Sequence, residues 1–361
     1  MLRCMYSGIS GMKVNQTKLD VIGNNIANVG TTSFKSSSAR FKDMLYQNAG
    51  EATSPTSTKG GTNAKQVGLG AQLSSINKMM GQGNALSTGR SLDVCVDGEG
   101  YLVVGKGVVD YATGSGNTID ANNALSGGTT GVMDISYTRD GNLTLDYQGN
   151  LLTADGYRVM GYAVTDSNGT PTGGGTPQTT SIDANGNILK VNADAVDSTG
   201  KSTVATVGAA GAKVLVPMKI PDKIYTTAGT PPTGGQSIKK FEIGKDGLIT
   251  AILGDGSRAA VGQIAMATFK NPEGLNSIGG NLLQKSSNSG TEIIKTGIGE
   301  LAATDNSKGF GDLIQGALEG SNVDLTEQFT DMITATRSFQ AAGKMITTGD
   351  EILQTITGLM R

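Results

Sequence analysis

The chain has 361 residues, of which 54 are glycine and only 4% are aromatic, and it contains neither histidine nor tryptophan. Its 29 basic and 31 acidic residues give a net charge of −2, which provides no attraction for nucleic acid or an acidic membrane surface. The lack of histidine excludes a Ser-His-Asp triad, a Cys-His pair and any imidazole-based zinc site. The composition favours tight turns between short strands.

Residues 2–26 predict an amphipathic helix. Apolar side chains recur at every seventh position: Met5, Met12, Leu19 and Ile26. Leu2 and Ile9 begin an intervening row, which Gln16 and Gly23 interrupt. Such a repeat keeps one face of a helix against a partner. This N-terminus has neither the continuous apolar core nor the cleavage site of a secretory signal, so we expect a cytosolic protein or one exported without a cleaved signal peptide.

Residues 31–69 are rich in Ser, Thr, Gly, Asn and Ala, with one short apolar patch around Phe41 and Leu45. This composition predicts a connector arm with little core of its own, and a disordered linker is the alternative.

From residue 70 the apolar period changes to two, which predicts consecutive antiparallel hairpins. A strand over 92–97 is followed by Asp97-Gly98-Glu99-Gly100, which predicts a turn into a second strand at 101–104. Further turns are predicted at three Gly-containing pairs: Gly149-Asn150, Asp155-Gly156 and Asp246-Gly247.

Residues 164–235 shift to Thr, Gly, Pro, Ala and Asn. Their clearest strand contains Val214 and Val216, and Pro217 and Pro221 would confine it to a sheet edge. We therefore predict a small variable β-domain, inserted into the first, whose deletion leaves the rest of the chain folded.

No group of residues predicts catalysis, a cofactor or a metal. Cys4 and Cys95 are predicted to be small semi-apolar fillers in a helix and a strand, with a structural disulfide as the alternative. Asp183-x-Asn185-x-Asn187 resembles a calcium loop only in part, because it lacks the later Gly and Glu, and it predicts a turn.

Residues 322–361 predict a second, longer helix, capped by Ser321 or Asp324. An unbroken seven-residue apolar repeat runs through it: Leu325, Met332, Phe339, Ile346, Leu353 and Met360. The interleaved row is strongly apolar only at its start: Phe329, Thr336, Gly343, Asp350 and Thr357. Four more residues widen the apolar surface of the C-terminal half: Met345, Ile352, Ile356 and Leu359.

Matching helices at both ends favour a coiled-coil-like stem in which the helices lie side by side, and ordinary core helices are the alternative. The predicted fold is mainly β with an α-helical terminal stem and two antiparallel β-domains, the second inserted in the first. The predicted boundaries are 1–30 and 320–361 for the stem, 31–69 for the connector arm, 70–163 and 236–319 for the first β-domain, and 164–235 for the inserted one.

Two terminal segments carry a family resemblance. Residues 19–28, Leu-Asp-Val-Ile-Gly-Asn-Asn-Ile-Ala-Asn, with Thr-Thr-Ser-Phe-Lys at 31–35, resemble the N-terminal signature of the rod and hook proteins of the bacterial flagellum. Residues 318–329, Leu-Glu-Gly-Ser-Asn-Val-Asp-Leu-Thr-Glu-Gln-Phe, resemble the matching end of the hook proteins. The signature residues are Asn24, Asn25, Asn28, Phe34 and Lys35. Ser33 departs from the pattern, because the family usually has Gly before Phe-Lys.

The resemblance implies a structural subunit rather than an enzyme, with no cofactor. It implies a hook-type chain that assembles through its terminal helices into a curved, flexible tube, which transmits torque from rod to filament and encloses the export channel. The implied partners are many copies of itself, the flagellar rod, hook cap and hook–filament junction proteins, and the export apparatus, with neither nucleic acid nor membrane insertion. The implied location is the extracellular hook attached to the basal body. A distal rod subunit is the alternative within the family, and an all-β surface adhesin is the alternative outside it.

Overall fold

The computed structural model describes residues 2–108, 117–120, 122–126, 133–166, 182–183, 186–192, 202–204, 213–226, 234–298 and 306–359. The chain divides into two compact units, which we call the stem unit, Met1–Gly81 with Ser321–Arg361, and the β unit, Gln82–Gly320. The fold is mainly β, with one long helix near each end of the chain.

The stem unit contains both helices and four strands: α1 Leu2–Ala27, β1 Ser37–Asp43, β2 Tyr46–Gly50, β3 Lys65–Gly68, β4 Ala71–Lys78 and α2 Leu325–Leu359. Asp324 caps α2, because its carboxylate accepts the Thr326 amide at 2.8 Å. The arm predicted over 31–69 forms two antiparallel ribbons, in which β1 pairs with β4 and β2 pairs with β3. Because β4 pairs with β1, the arm extends to Lys78, and the chain leaves the stem unit at residue 81 rather than at the predicted boundary of 70.

The β unit contains 23 described strands. They are β5 Ala85–Ser87, β6 Val94–Asp97, β7 Tyr101–Lys106, β8 Asn117–Ile119, β9 Leu125–Ser126, β10 Asp134–Thr138, β11 Leu143–Leu145, β12 Leu151–Thr153, β13 Arg158–Tyr162, β14 Val164–Asp166, β15 Val191–Asn192, β16 Ser202–Val204, β17 Lys213–Pro217, β18 Lys223–Ile224, β19 Gln236–Ile243, β20 Leu248–Leu253, β21 Arg258–Ile264, β22 Met266–Thr268, β23 Asn276–Gly279, β24 Leu282–Gln284, β25 Ile293–Ile294, β26 Asp312–Gln315 and β27 Ala317–Glu319. Their pairings are antiparallel.

Several predicted hairpins are confirmed. β11 and β12 pair around the turn at Gly149-Asn150, β12 and β13 pair around Asp155-Gly156, and β19 and β20 pair around Asp246-Gly247.

The predicted hairpin between β6 and β7 is wrong. β6 pairs with β26, near the other end of the β unit, whereas β7 pairs with β10, β13 and β22. Val94, Cys95 and Val96 are all fully buried, so both faces of β6 are covered and the strand does not have the solvent-facing side of a simple hairpin. The burial of both faces of β6 therefore determines its pairing with β26. The Gly-rich turn connects β6 to β7 without pairing them.

The described part of 164–235 is not a separate compact unit. β17 pairs with β8 through its first three residues and with β13 through its last two, so Pro217 does not confine it to an edge. Val214 and Val216 lie in the same apolar core as Val94 and Leu102. Shared burial makes the folding of this segment depend on the predicted first domain, and the prediction that its deletion is harmless no longer follows.

Candidate self-assembly surface

The two helices of the stem unit pack antiparallel. A β-carbon on Gly8 would lie 3.3 Å from Ile346, and one on Gly349 would lie 3.3 Å from Met5. Near the other end of the pair, the Asn25 amide donates to Gln328 at 2.9 Å. The glycines leave room for the partner's large side chain, so the two backbones approach closely along this seam.

The predicted seam residues divide into two groups. Seven are half-buried: Met5, Met12, Leu19, Ile26, Met332, Ile346 and Leu353. Four remain exposed in the single chain: Ile9, Leu325, Phe329 and Phe339. Met360 lies outside the described residues.

The second row of the seam lies one position before the predicted one in both helices. α1 buries Gly8 and Ile22 rather than Ile9 and Gly23. α2 carries small residues at every seventh position of this row, and it buries Ala335 and Gly349 and half-buries Ala342 between them. The available sequence signal was this seven-residue spacing of small side chains, which a search for large apolar residues overlooks.

The signature residue Asn25 joins three elements of the stem unit. Its side chain is only 1% exposed, donates to the Ser37 carbonyl and Gln328, and accepts the Ser37 amide at 3.0 Å. Asn28 donates to the Asn24 carbonyl at 2.9 Å at the end of α1. These amides therefore hold the junction between α1 and the arm, which is a positioning role.

A second junction connects the arm to the start of α2. Asn322 accepts the Ser36 amide at 2.8 Å and donates to the Met79 carbonyl at 2.6 Å. The signature lysine, Lys35, donates to the Gly81 carbonyl at 2.8 Å, and the half-buried Phe34 accepts the Asn322 amide through its carbonyl. All five signature residues are thus close to the two ends of the arm.

Two of the apolar surfaces that the stem unit exposes bear on assembly. The first, which we call the tail stripe, consists of Met345, Ile352, Ile356 and Leu359 on α2. The second, the arm groove, has a volume of about 570 Å³ and lies between α1 and the arm; its apolar lining includes Tyr6, Ile9, Met44, Leu69 and Leu73. Contiguous exposed apolar surface typically marks an interaction site.

The remaining polar and sulfur-containing side chains that the sequence singled out lie apart from these surfaces. Within them, no group of three or more side chains is arranged to hold a metal ion, and neither helix is both long and apolar enough to cross a membrane. The Asp183 carboxylate accepts the Asn187 amide at 2.8 Å, which confirms the predicted turn. Cys4 is exposed on α1, and Cys95 is buried in β6. Hydrogen bonding to the Asp43 carboxylate raises the pKa of Tyr46 in the arm.

Comparison with known proteins identifies the family. The chain is 37% identical to the flagellar basal-body rod protein FlgG of Bacillus subtilis over the full length of both proteins. The chain belongs to the flagellar rod and hook axial protein family. It is also 30% identical to the flagellar hook protein FlgE of Borreliella burgdorferi, over 99% of this chain and all of that one, and 29% identical to the Salmonella typhimurium hook protein FlgE, over 97% and 98%.

Three family models match separate parts of the chain. "Flagella basal body rod protein" matches 5–35, "Flagellar hook protein FlgE/F/G D1 domain" matches 129–251, and "Flagellar basal body rod FlgEFG protein C-terminal" matches 314–359. The central match includes 164–235, where the sequence alone showed almost no resemblance. A solved Helicobacter pylori hook protein, FlgE2, covers 65% of this chain at 13% identity and a TM-score of 0.36.

Membership of this family makes the protein a structural component of the bacterial flagellum, of the hook or rod type, that polymerises with flagellar partners. The adhesin alternative has no support among these matches.

Proposed function

We propose that this chain is a subunit of the flagellar hook, which assembles through its stem unit into a curved, flexible tube that transmits torque from rod to filament. The observation that carries the proposal is the apolar surface of the stem unit. Seven large apolar side chains of α2 are at least 39% exposed in the single chain: Leu325, Phe329, Ile333, Met345, Ile352, Ile356 and Leu359. Other copies of the chain would bury that surface in a polymer.

The stem seam has two roles in this proposal. Half-buried residues such as Met12 and Ile346 hold α1 against α2 within one chain, and their outer edges face helices of neighbouring copies. Exposed residues such as Phe329 and Phe339 face only neighbouring copies. The stem thus forms the polymer core, and the β unit forms the outer part of the tube.

Hook and rod proteins both match over the full length of the chain, and a hook subunit is favoured by the resemblance of residues 318–329 to the hook end. The proposed partners are then the rod, hook cap and hook–filament junction proteins. The proposed route is the flagellar export apparatus, to the extracellular hook. The second candidate is a distal rod subunit, favoured by the 37% identity to the Bacillus subtilis rod protein.

Basal bodies from cells that lack this chain distinguish the two candidates. For a hook subunit we expect complete rods without hooks, whereas for a rod subunit we expect shortened rods. Electron microscopy of the polymerised, purified protein provides an independent measurement. Curved tubes agree with the hook, straight tubes agree with the rod, and no assembly at any concentration contradicts both.

A further inference from the structure

The tail stripe and the arm groove are distinct exposed apolar surfaces of the same stem unit. Met345, Ile352 and Leu359 stand seven residues apart, one position before the row that packs on α1, and they are 53%, 49% and 82% exposed. The apolar surface of α2 is therefore wider than α1 covers. Ile352, Ile356 and Leu359 have the i, i+4, i+7 spacing with which a helix fills a groove.

The arm groove is formed where the arm approaches α1 closely. Gly70 has a φ of +119°, and a β-carbon there would overlap the Ser10 hydroxyl. A residue with a side chain would push the arm away from the helix at this point. Tyr6 and Ile9 nonetheless remain 68% and 38% exposed at the groove, so the arm leaves them uncovered.

A chain cannot place its own tail stripe in its own arm groove. Gly8 and Met5 face α2, whereas Tyr6, Ile9 and Lys13 line the groove, so the two contacts lie on different sides of α1. An occupant of the groove that comes from α2 therefore comes from another copy. A head-to-tail contact between two different surfaces of identical chains produces an open helical polymer when the rotation between neighbouring copies does not close into a ring.

The tail stripe brings no like charge to the groove. Lys13 is the charged residue that lines the groove. Between Met345 and Leu359, α2 carries no cation, and its two acids, Asp350 and Glu351, face other sides of the helix than Ile352. Docking therefore places no cation against Lys13, and the apolar side chains set the register of the contact.

We propose that the tail stripe of one copy docks in the arm groove of a neighbouring copy, with Ile352 against Ile9. This inference rests on the proposed homopolymer, and it specifies which two surfaces make one contact of the assembly.

The test is disulfide cross-linking of the full-length chain in a Cys4→Ser background. The Ile9→Cys, Ile352→Cys double variant is polymerised and mildly oxidised, and we expect a ladder of covalent oligomers. The matched control is Ile9→Cys with Ile333→Cys, because Ile333 is a comparably exposed isoleucine on α2, and we expect at least tenfold less cross-linked product. A mixture of the two single variants should give covalent dimers of one of each and no longer species.

Three outcomes overturn the inference. Polymers of the double variant without a ladder would remove the docking contact and leave the proposed function intact. Equal cross-linking of the control pair would show that the contact is not specific. If the parent chain itself never polymerises, the proposed function fails and the docking contact fails with it. A double variant that assembles poorly is co-assembled with a tenfold excess of the parent chain, where covalent dimers replace the ladder as the expected result.

Discussion

The β unit and the stem unit distribute their apolar side chains in opposite ways. Three buried clusters fill the β unit, with residues such as Leu102, Leu143 and Ile249 fully excluded from solvent. Among the described residues of the stem unit, only two apolar side chains are buried, Ile22 and Ala335. The β unit therefore holds most of its stabilising contacts internally. Long helices derive most of their stability from tertiary packing, so the stability of the stem depends on the surfaces that cover its helices.

The largest loss of stability that we expect follows deletion of residues 165–235 from the β unit. The deletion removes ten apolar side chains that are buried in the described part of the β unit: Ile182, Ile188, Leu189, Val191, Val214, Leu215, Val216, Met218, Ile220 and Ile224. At roughly 1.5–3 kcal/mol for each buried side chain, this exceeds the ~5–15 kcal/mol stability of a typical domain. We expect the β unit to lose its cooperative urea transition. A soluble variant that unfolds as cooperatively as the parent would support the inserted domain that the sequence predicts.

The second test removes a buried ion pair from the β unit. Glu319 accepts Arg139 Nε at 2.8 Å and the Gly83 amide at 3.0 Å, with both charged side chains almost fully buried. Arg139 also lies over the Tyr101 ring, and burial raises the pKa of that tyrosine to about 12. Glu319→Ala leaves the guanidinium buried without its carboxylate, and we expect a loss of about 3–5 kcal/mol.

Urea unfolding followed by tyrosine fluorescence measures this loss. Glu242→Ala is the matched control, because Glu242 pairs with Lys240 at the same 2.8 Å distance on the exposed surface. We expect no measurable change for the control. A Glu319→Ala loss no larger than that of the control would show that the buried pair does not stabilise the β unit.

The third test concerns the stem unit, through Asn25. Asn25→Ala leaves the Ser37 amide and carbonyl without their side-chain partner, at a cost of about 1–3 kcal/mol. We expect faster hydrogen exchange at the end of α1 and in β1, with unchanged exchange in the β unit. Asp20→Ala is the control, because Asp20 is an exposed residue of the same helix. Similar exchange in both variants would show that the buried amide does not hold the junction.

The sequence predicted the elements of the stem well and its packing less well. The apolar repeats located both helices to within a few residues, because a seven-residue period is specific to helices. The buried second row was missed because it contains Gly8, Ala335 and Gly349. These residues are buried because their small size lets the two helices approach closely, and a search for large apolar side chains does not detect them. The arm groove could not be predicted, since it requires knowing that Gly70 lies against Ser10.

In the β unit, local hairpins were predictable and distant pairings were not. Turn residues specify the β11–β12 hairpin directly. The pairing of β6 with β26 joins residues more than 200 positions apart, and nothing in either strand identifies the other. The position of Val214 and Val216 in the common core could not be predicted either. The shift in composition at residue 164 suggests a new domain, but composition does not show which core a strand joins.

The smallest expected effect is that of Ser33→Gly. We expect this substitution to stabilise the stem unit, whereas the changes considered above destabilise the protein. Ser33 has a φ of +56°, in the left-handed region where a β-carbon is unfavourable, and the related signature usually has glycine at this position. Ser33→Gly relieves that strain but adds freedom to the unfolded chain, so we expect the stem unit to gain on the order of 0.5 kcal/mol. The control is Ala39→Gly in β1, where glycine relieves no strain and should cost roughly 0.5–1 kcal/mol. Hydrogen exchange of the α1–β1 junction compares the two variants, and slower exchange for Ser33→Gly with faster exchange for Ala39→Gly is the expected pair of results. A stabilising substitution also tests the stem differently from one that weakens it. If tubes with the more rigid junction remain as flexible as those of the parent, the flexibility of the assembly does not arise at the end of α1.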